Sequence, residues 1–334
     1  SRDDLLRDVV PLLHSLVEDR QESVKDIAIG CVAPISRLLT QEENHDHILS
    51  LVKASGEADS WRSRFTIAKH FFQLAQAVGA ETTSADLLPL FLKLLMDVEA
   101  DTRCQAVKGA AGVCDLIGAE VFVARVMPVL NELAGDLAPN VRTALSKAVV
   151  ECLPKLGKEA ATTSAVPLVM QLLRDELQDV RLNVLKDLTS VASVLGPELL
   201  QSSLLPVILT LGADAQWRVR AEVVTQMPGL ARTVGPDVFQ AKLLPLFFST
   251  FHDVVSSVRS ASTAALGPIV AALGAEWAAA HVAPKLGELM RSDGNYLQRI
   301  TVLYASGSVL GASEGESPLS GDLVPLVSGC LTDG

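Results

Sequence analysis

Six histidines (His14, His45, His47, His70, His252 and His281) and five cysteines (Cys31, Cys104, Cys114, Cys152 and Cys330) are the side chains most able to bind a metal or act as base or nucleophile. His45-Asp46-His47 is the one close histidine pair. At i, i+2 on a helix the two rings diverge, so they do not converge on one ion. No His-Glu dipeptide offers iron a carboxylate beside an imidazole. His252-Asp253 supplies only half of a metal-phosphohydrolase motif. The cysteines form no C-x-x-C pair, and no G-x-G-x-x-G, phosphate-binding loop or G-x-S-x-G elbow occurs. The sequence therefore names no catalytic residue, no metal ligand and no cofactor. The scattered, odd number of thiols reads as a reduced core, hence a cytoplasmic or nuclear setting.

Charged residues instead recur at a fixed interval. Asp19, Asp97, Asp136, Asp175, Asp214 and Asp253 share one phase of a 39-residue period, and Arg64, Arg103, Arg142, Arg181, Arg220 and Arg259 share another. Lys25 stands in the Arg phase, and Arg299 falls one residue late, after an insertion near residue 292 that also shifts Asp293. An active site occurs once, whereas a stacking device occurs in every unit, so both ladders read as structural. An Asp in each turn and an Arg opening each second helix can satisfy carbonyls and helix N-termini that stacking buries.

Two further ladders describe the elements that carry these residues. Pro11, Pro89, Pro128, Pro167, Pro206, Pro245 and Pro284 repeat with one gap, where Ser50 stands, and Gly79, Gly118, Gly157, Gly196, Gly235 and Gly274 keep the same period. Val141, Ala144, Leu145, Ala148, Val149 and Cys152 follow the i, i+3, i+4, i+7 spacing of a helix buried on one side. Gly157 then supplies the positive φ that ends it. Pro128 must sit in a first turn or bend its helix, because it has no N–H to give. Asp136-Leu-Ala-Pro-Asn140 makes the turn between two helices. Neither helix buries its face alone, so neighbouring repeats must supply the core: an all-α fold, a right-handed α-solenoid.

The 334 residues make about eight and a half repeats, at approximately 1–40, 41–79, 80–118, 119–157, 158–196, 197–235, 236–274 and 275–313, with a partial repeat at 314–334. A single solenoid is expected, with Gly311–Pro318 as an inter-repeat loop, in a chain that reads as a piece of a longer one. Aromatics are only 4% against 49% hydrophobic residues, which suits helices rather than sheets. A mean hydropathy of +0.33 is high, yet the apolar runs fall well short of the roughly 18 residues that span a bilayer, so membrane insertion is not expected. A net charge of −11 removes the main driving force for nucleic-acid binding.

The variable position three residues before each ladder Arg carries Trp61, Ala100, Pro139, Gln178, Trp217 and Ser256, then Tyr296 after the shift. An exposed Trp followed by Arg62 or Arg218 has the composition of a protein-binding hot spot. The alternative is that each Trp packs on a neighbouring turn. Trp277, in Glu276-Trp-Ala-Ala-Ala280, opens a first helix and reads as inter-repeat packing.

Ser60-Trp-Arg-Ser-Arg-Phe65, Gln171-Leu-Leu-Arg-Asp-Glu176, Asp179-Val-Arg-Leu-Asn183, Asp214-Ala-Gln-Trp-Arg-Val-Arg220, Gly274-Ala-Glu-Trp-Ala278 and Gly294-Asn-Tyr-Leu-Gln-Arg299 closely resemble, in order, the scaffold (A) subunits of type 2A serine/threonine protein phosphatases. The resemblance implies a non-catalytic scaffold of HEAT repeats. It would carry the phosphatase catalytic subunit on C-terminal turns and one regulatory (B-type) subunit on N-terminal turns. By the same resemblance, Trp61 and Arg62 match the regulatory-subunit ridge, and Trp217, Arg218 and Tyr296 the catalytic-subunit ridge. Ser256 departs from the family, which usually has an aromatic there. The competing reading is a HEAT-repeat adaptor for trafficking, nuclear transport or cytoskeletal assembly. A karyopherin-like adaptor is expected to show less regular repeats, and acidic and Trp/Asn arrays on its inner helices.

Overall fold

The computed structural model describes residues 2–291 and 296–312, together with 321, 323–325 and 328. Asp293, the insertion near 292, most of the expected loop at 311–318 and Cys330 lie outside the described residues. Among the described residues every regular element is helical. They form an all-α solenoid of paired helices, divided into two compact units, 1–172 and 173–334, with the division inside the fifth repeat.

Within the first unit the second helices of the repeats are Glu22–Ser36, Trp61–Val78, Ala100–Lys108 continued by Ala110–Ile117, and Pro139–Leu156. In the second unit they are Gln178–Lys186 continued by Leu188–Leu199, then Trp217–Val238, Ser256–Leu273 and Tyr296–Ala312. The expected stripe is wholly internal: Val141, Ala144, Leu145, Ala148, Val149 and Cys152 are each at most 6% exposed. Inside each unit a second helix packs on its counterpart in the next repeat, as Trp217–Val238 does on Ser256–Leu273. Gly267 permits the closest such approach, since a Cβ there would lie 2.6 Å from the Ser308 carbonyl oxygen.

All six ladder glycines have positive φ, from 75° to 98°, and no other residue type does. Each reverses the chain from a second helix into the next first helix, a conformation in which a Cβ is strained. Thr40, one period before Gly79, makes this turn differently. Its hydroxyl accepts from the Glu43 N–H while the Glu43 carboxylate accepts from the Thr40 N–H, a capping box.

First helices are bent at the proline ladder. A widened turn precedes the proline, as at Thr83–Leu87 before Pro89 and Phe239–Leu243 before Pro245, while Pro128 sits just after a break at Val126. The missing proline N–H leaves one carbonyl without its usual donor, and a π turn absorbs the defect. Asn44–Ile48 forms the same turn before Ser50, so the bend is a property of the repeat and not of proline alone. One helical stretch, Leu188–Leu211, is long and apolar enough by composition to cross a bilayer. It is two helices broken at Gly196, with φ 76°, and its Val191, Leu195, Leu200 and Leu204 are buried in the core.

Candidate functional site: the inter-helical ridge

The turn joining the two helices of a repeat is built from the ladder Asp. Its Oδ1 accepts from the backbone N–H two residues on: Glu99 on Asp97, Ala138 on Asp136, Leu177 on Asp175, Gln216 on Asp214 and Val255 on Asp253, at 2.8–2.9 Å. These N–H groups belong to the start of the second helix and have no intrahelical partner.

The ladder Arg ties one turn to the next. Arg64 forks onto Asp97 through Nε (2.6 Å) and Nη2 (3.0 Å), and its Nη1 donates to the carbonyls of Ala58 and Asp59 in its own turn. Arg103 does the same with Asp136, and Arg220 with Asp253. Arg181 reaches Asp214 more loosely, with Nη2 at 3.1 Å, and holds its own turn through Asp175 and Glu176. Arg142 and Arg259 donate to the Asp136 and Asp253 carbonyls. One guanidinium thus serves three acceptors in two repeats, using the planar fork that lysine lacks.

Burial pushes the Asp97 and Asp136 carboxyls up, but their Arg partners and the backbone N–H bonds outweigh it and hold both below the usual carboxylate range. For Asp253 the Arg220 guanidinium is the leading cause of the same lowering. Arg64, Arg103 and Arg220 are correspondingly raised.

On this frame the variable position is the first residue of each second helix, not a residue of the turn proper: Trp61, Ala100, Pro139, Gln178, Trp217, Ser256 and Tyr296 all open helices. Fixed so close to the Asp cap, each side chain is carried at the rim of the turn. Trp61 is 38% exposed and Tyr296 is 61% exposed, while Trp217 is half-buried. Arg62 lies over the Trp61 ring at 4.9 Å and Arg218 over the Trp217 ring at 4.8 Å, so both pairs adopt the same cation–π stack. Trp61 also meets Phe65 edge-on at 6.3 Å. Arg299 is exposed, and the turn that would supply its carbonyls, 292–295, is outside the described residues. Trp277 packs edge-on against Phe239 of the preceding repeat at 5.9 Å, an inter-repeat contact.

Sequence reasoning passed over the turn tips. Val98, Leu137 and Val254, each following a ladder Asp, are 85%, 96% and 90% exposed. Their signal was available: an apolar residue in the one position the Asp cap turns outward. Among the described residues no group of three His, Cys, Asp or Glu side chains is placed to hold a metal. His252 is exposed beside the ladder Asp253, which is engaged by Arg220.

Comparison with known proteins bears on the repeat and on parts of the chain. A family model described as PPP2R1A-like HEAT repeat matches residues 80–157, and one described as PIK3R4-like, middle domain, matches 155–272. The A-type regulatory subunit of protein phosphatase PP2A from Schizosaccharomyces pombe is 34% identical over 80 residues, which are 24% of this chain and 14% of that protein. Among solved structures, Kap95p in its complex with RanGDP has a TM-score of 0.64 at 14% identity, covering 99% of this chain and 46% of its own. The karyopherin Kap121p bound to the SUMO protease Ulp1p gives 0.63 at 14% identity, with 98% and 36% covered. YibA of E. coli gives 0.52 at 17% identity, with 90% and 92% covered. The chain spans less than half the length of the curated relative and of the karyopherins, and the structural likenesses speak for the fold. Together with the four ladders, they identify the chain as an all-α solenoid of HEAT repeats.

Proposed function

We infer that this chain is a non-catalytic scaffold for a serine/threonine phosphatase. Trp217, Arg218 and Tyr296 hold the catalytic subunit, and Trp61 and Arg62 hold a regulatory, B-type subunit. The observation that carries this reading is the pair of stacked Trp–Arg steps. They occupy the same register four repeats apart in sequence, at the rim of turns braced by the Asp–Arg ladder. A rigid indole carrying a guanidinium offers a partner much contact area for little ordering, the property of binding hot spots. The local likeness of residues 80–157 to a phosphatase-scaffold repeat supports the choice of partner. On this reading neither nucleic acid nor a bilayer is a partner, and the setting is cytoplasmic or nuclear.

The alternative is a HEAT-repeat adaptor for trafficking, nuclear transport or cytoskeletal assembly, whose solenoid has the same fold. Mixing the purified chain with phosphatase 2A catalytic subunit separates the two. Co-elution on gel filtration, with phosphopeptide hydrolysis in the shared peak and its loss on adding a catalytic-site inhibitor, supports the scaffold. Separate elution at micromolar concentrations refutes it.

A further inference from the structure

The ladder is broken once, between the first and second repeats. Ala58 stands where Asp97, Asp136, Asp175, Asp214 and Asp253 stand later, and Lys25 stands in the Arg phase. Two neighbouring core positions depart at the same place. Ser55 takes the register of the buried Leu94, Leu133, Leu172 and Leu211, and Ser63 that of Val141, Val180, Val219 and Val258. All four departures are toward shorter side chains, and all four residues line one cavity of about 700 Å³. The space that a guanidinium–carboxylate pair and a leucine fill in later repeats is left open here.

The lining is polar and predominantly acidic. Ser55 is 3% exposed and its Oγ has no hydrogen-bond partner. Glu18, Glu22 and Asp59 line the cavity with a single ammonium, Lys25, whose Nζ is committed to Glu22 at 3.1 Å. His14 also lines it, with Nε2 held 2.7 Å from the His47 carbonyl oxygen. Neither the Glu18 nor the Asp59 carboxylate makes an ion pair among the described residues. Hydrogen bonds from Lys25 and from the Ser60 hydroxyl hold the Glu22 carboxyl below its usual range. The cavity thus offers carboxylates and hydroxyls with no free cation, and Asp59 and Ser60 run directly into Trp61.

We propose that this cavity receives an arginine side chain of the protein that docks on the Trp61–Arg62 edge, taking the place of the guanidinium that the ladder lacks at this step. The proposal rests on the reading of that edge as a partner-binding surface. Guanidinium is the group the same register holds in later repeats, and its donor fork matches carboxylates facing it from two repeats. An acidic occupant would face three carboxylates, and an apolar one would leave the Ser55 hydroxyl unpaired.

The test titrates the full chain with the blocked tripeptide acetyl-Gly-Arg-Gly-amide, followed by saturation-transfer NMR, beside its citrulline and glutamate analogues. Transfer to the arginine side chain alone is expected. It should fall about tenfold in Ser55→Leu with Ser63→Val, which installs residues that later repeats tolerate, and persist in Trp61→Ala with Arg62→Ala. Should the filled variant fold poorly, Glu18→Gln with Asp59→Asn keeps the shape and should show the same loss. Equal transfer to citrulline, transfer to the glutamate peptide, or arginine binding unchanged in a folded variant of either kind overturns the proposal. A chain that binds the arginine peptide yet captures no regulatory subunit instead refutes the reading of the edge and leaves the cavity assigned.

Discussion

Replacing Arg220 by Ala removes four hydrogen bonds at once: two to Asp253, at 2.7 and 2.9 Å, and two to the carbonyls of Asp214 and Ala215, at 2.7 and 3.3 Å. The Arg220 and Asp253 side chains are only 14% and 9% exposed, so water replaces the lost donors poorly. Asp253 keeps one donor, the Val255 N–H, and therefore remains ionised without its cation. Orphaning one partner of a buried pair costs about 3–5 kcal/mol, and the residual exposure lowers this to roughly 2–4 kcal/mol. In the double variant Arg220→Ala with Asp253→Ala the uncompensated charge is gone. The coupling between the two positions should therefore be about 1–3 kcal/mol. Repeat arrays need not unfold in one step, so the measurement is native-state hydrogen exchange of 217–238 and 256–273 alongside urea unfolding. A coupling near zero, or an Arg220→Ala cost within the ordinary surface range of about 0.5 kcal/mol, would refute the argument that the ladder braces the turns.

The remaining expectations concern binding and pH. Trp217→Ala with Arg218→Ala should weaken catalytic-subunit capture by about 2 kcal/mol or more, near thirtyfold, with unchanged circular dichroism; full capture by the folded variant removes the site assignment. Trp61→Ala with Arg62→Ala should weaken only a regulatory subunit, and simultaneous loss of the catalytic subunit in a pulldown would show that the two edges do not divide the partners. The Asp97, Asp136 and Asp253 carboxyls are lowered in the folded chain, so their stabilisation is complete above the unfolded carboxyl range near pH 3.9 and disappears as pH falls through the lower folded values. Asp136→Asn should therefore lose less stability than wild type between about pH 5 and pH 2 in urea melts, and parallel loss in both would contradict the assignment.

How much of this was legible in the sequence divides along one physical line. Features made within a few residues were readable from spacing alone. They include the glycine that must turn with positive φ, the Asp that caps the helix two residues on, and the apolar stripe through Val141 and Cys152. The chain itself enforces these, and a 39-residue period repeats the enforcement in every unit. Which ladder Asp a given Arg would grip was not legible. Arg64 passes over the turn it belongs to and forks onto Asp97, in the next repeat, because stacking, not chain connectivity, brings the two turns together. The stacks of Arg62 on Trp61 and Arg218 on Trp217 needed the helix start to orient the two side chains. The empty space beside Ser55 needed the neighbouring repeat to leave it unfilled. Residue type and period determined that the chain is a stack of helix pairs. Only packing between repeats decided which side chains are used up in holding the stack and which are left to meet a partner.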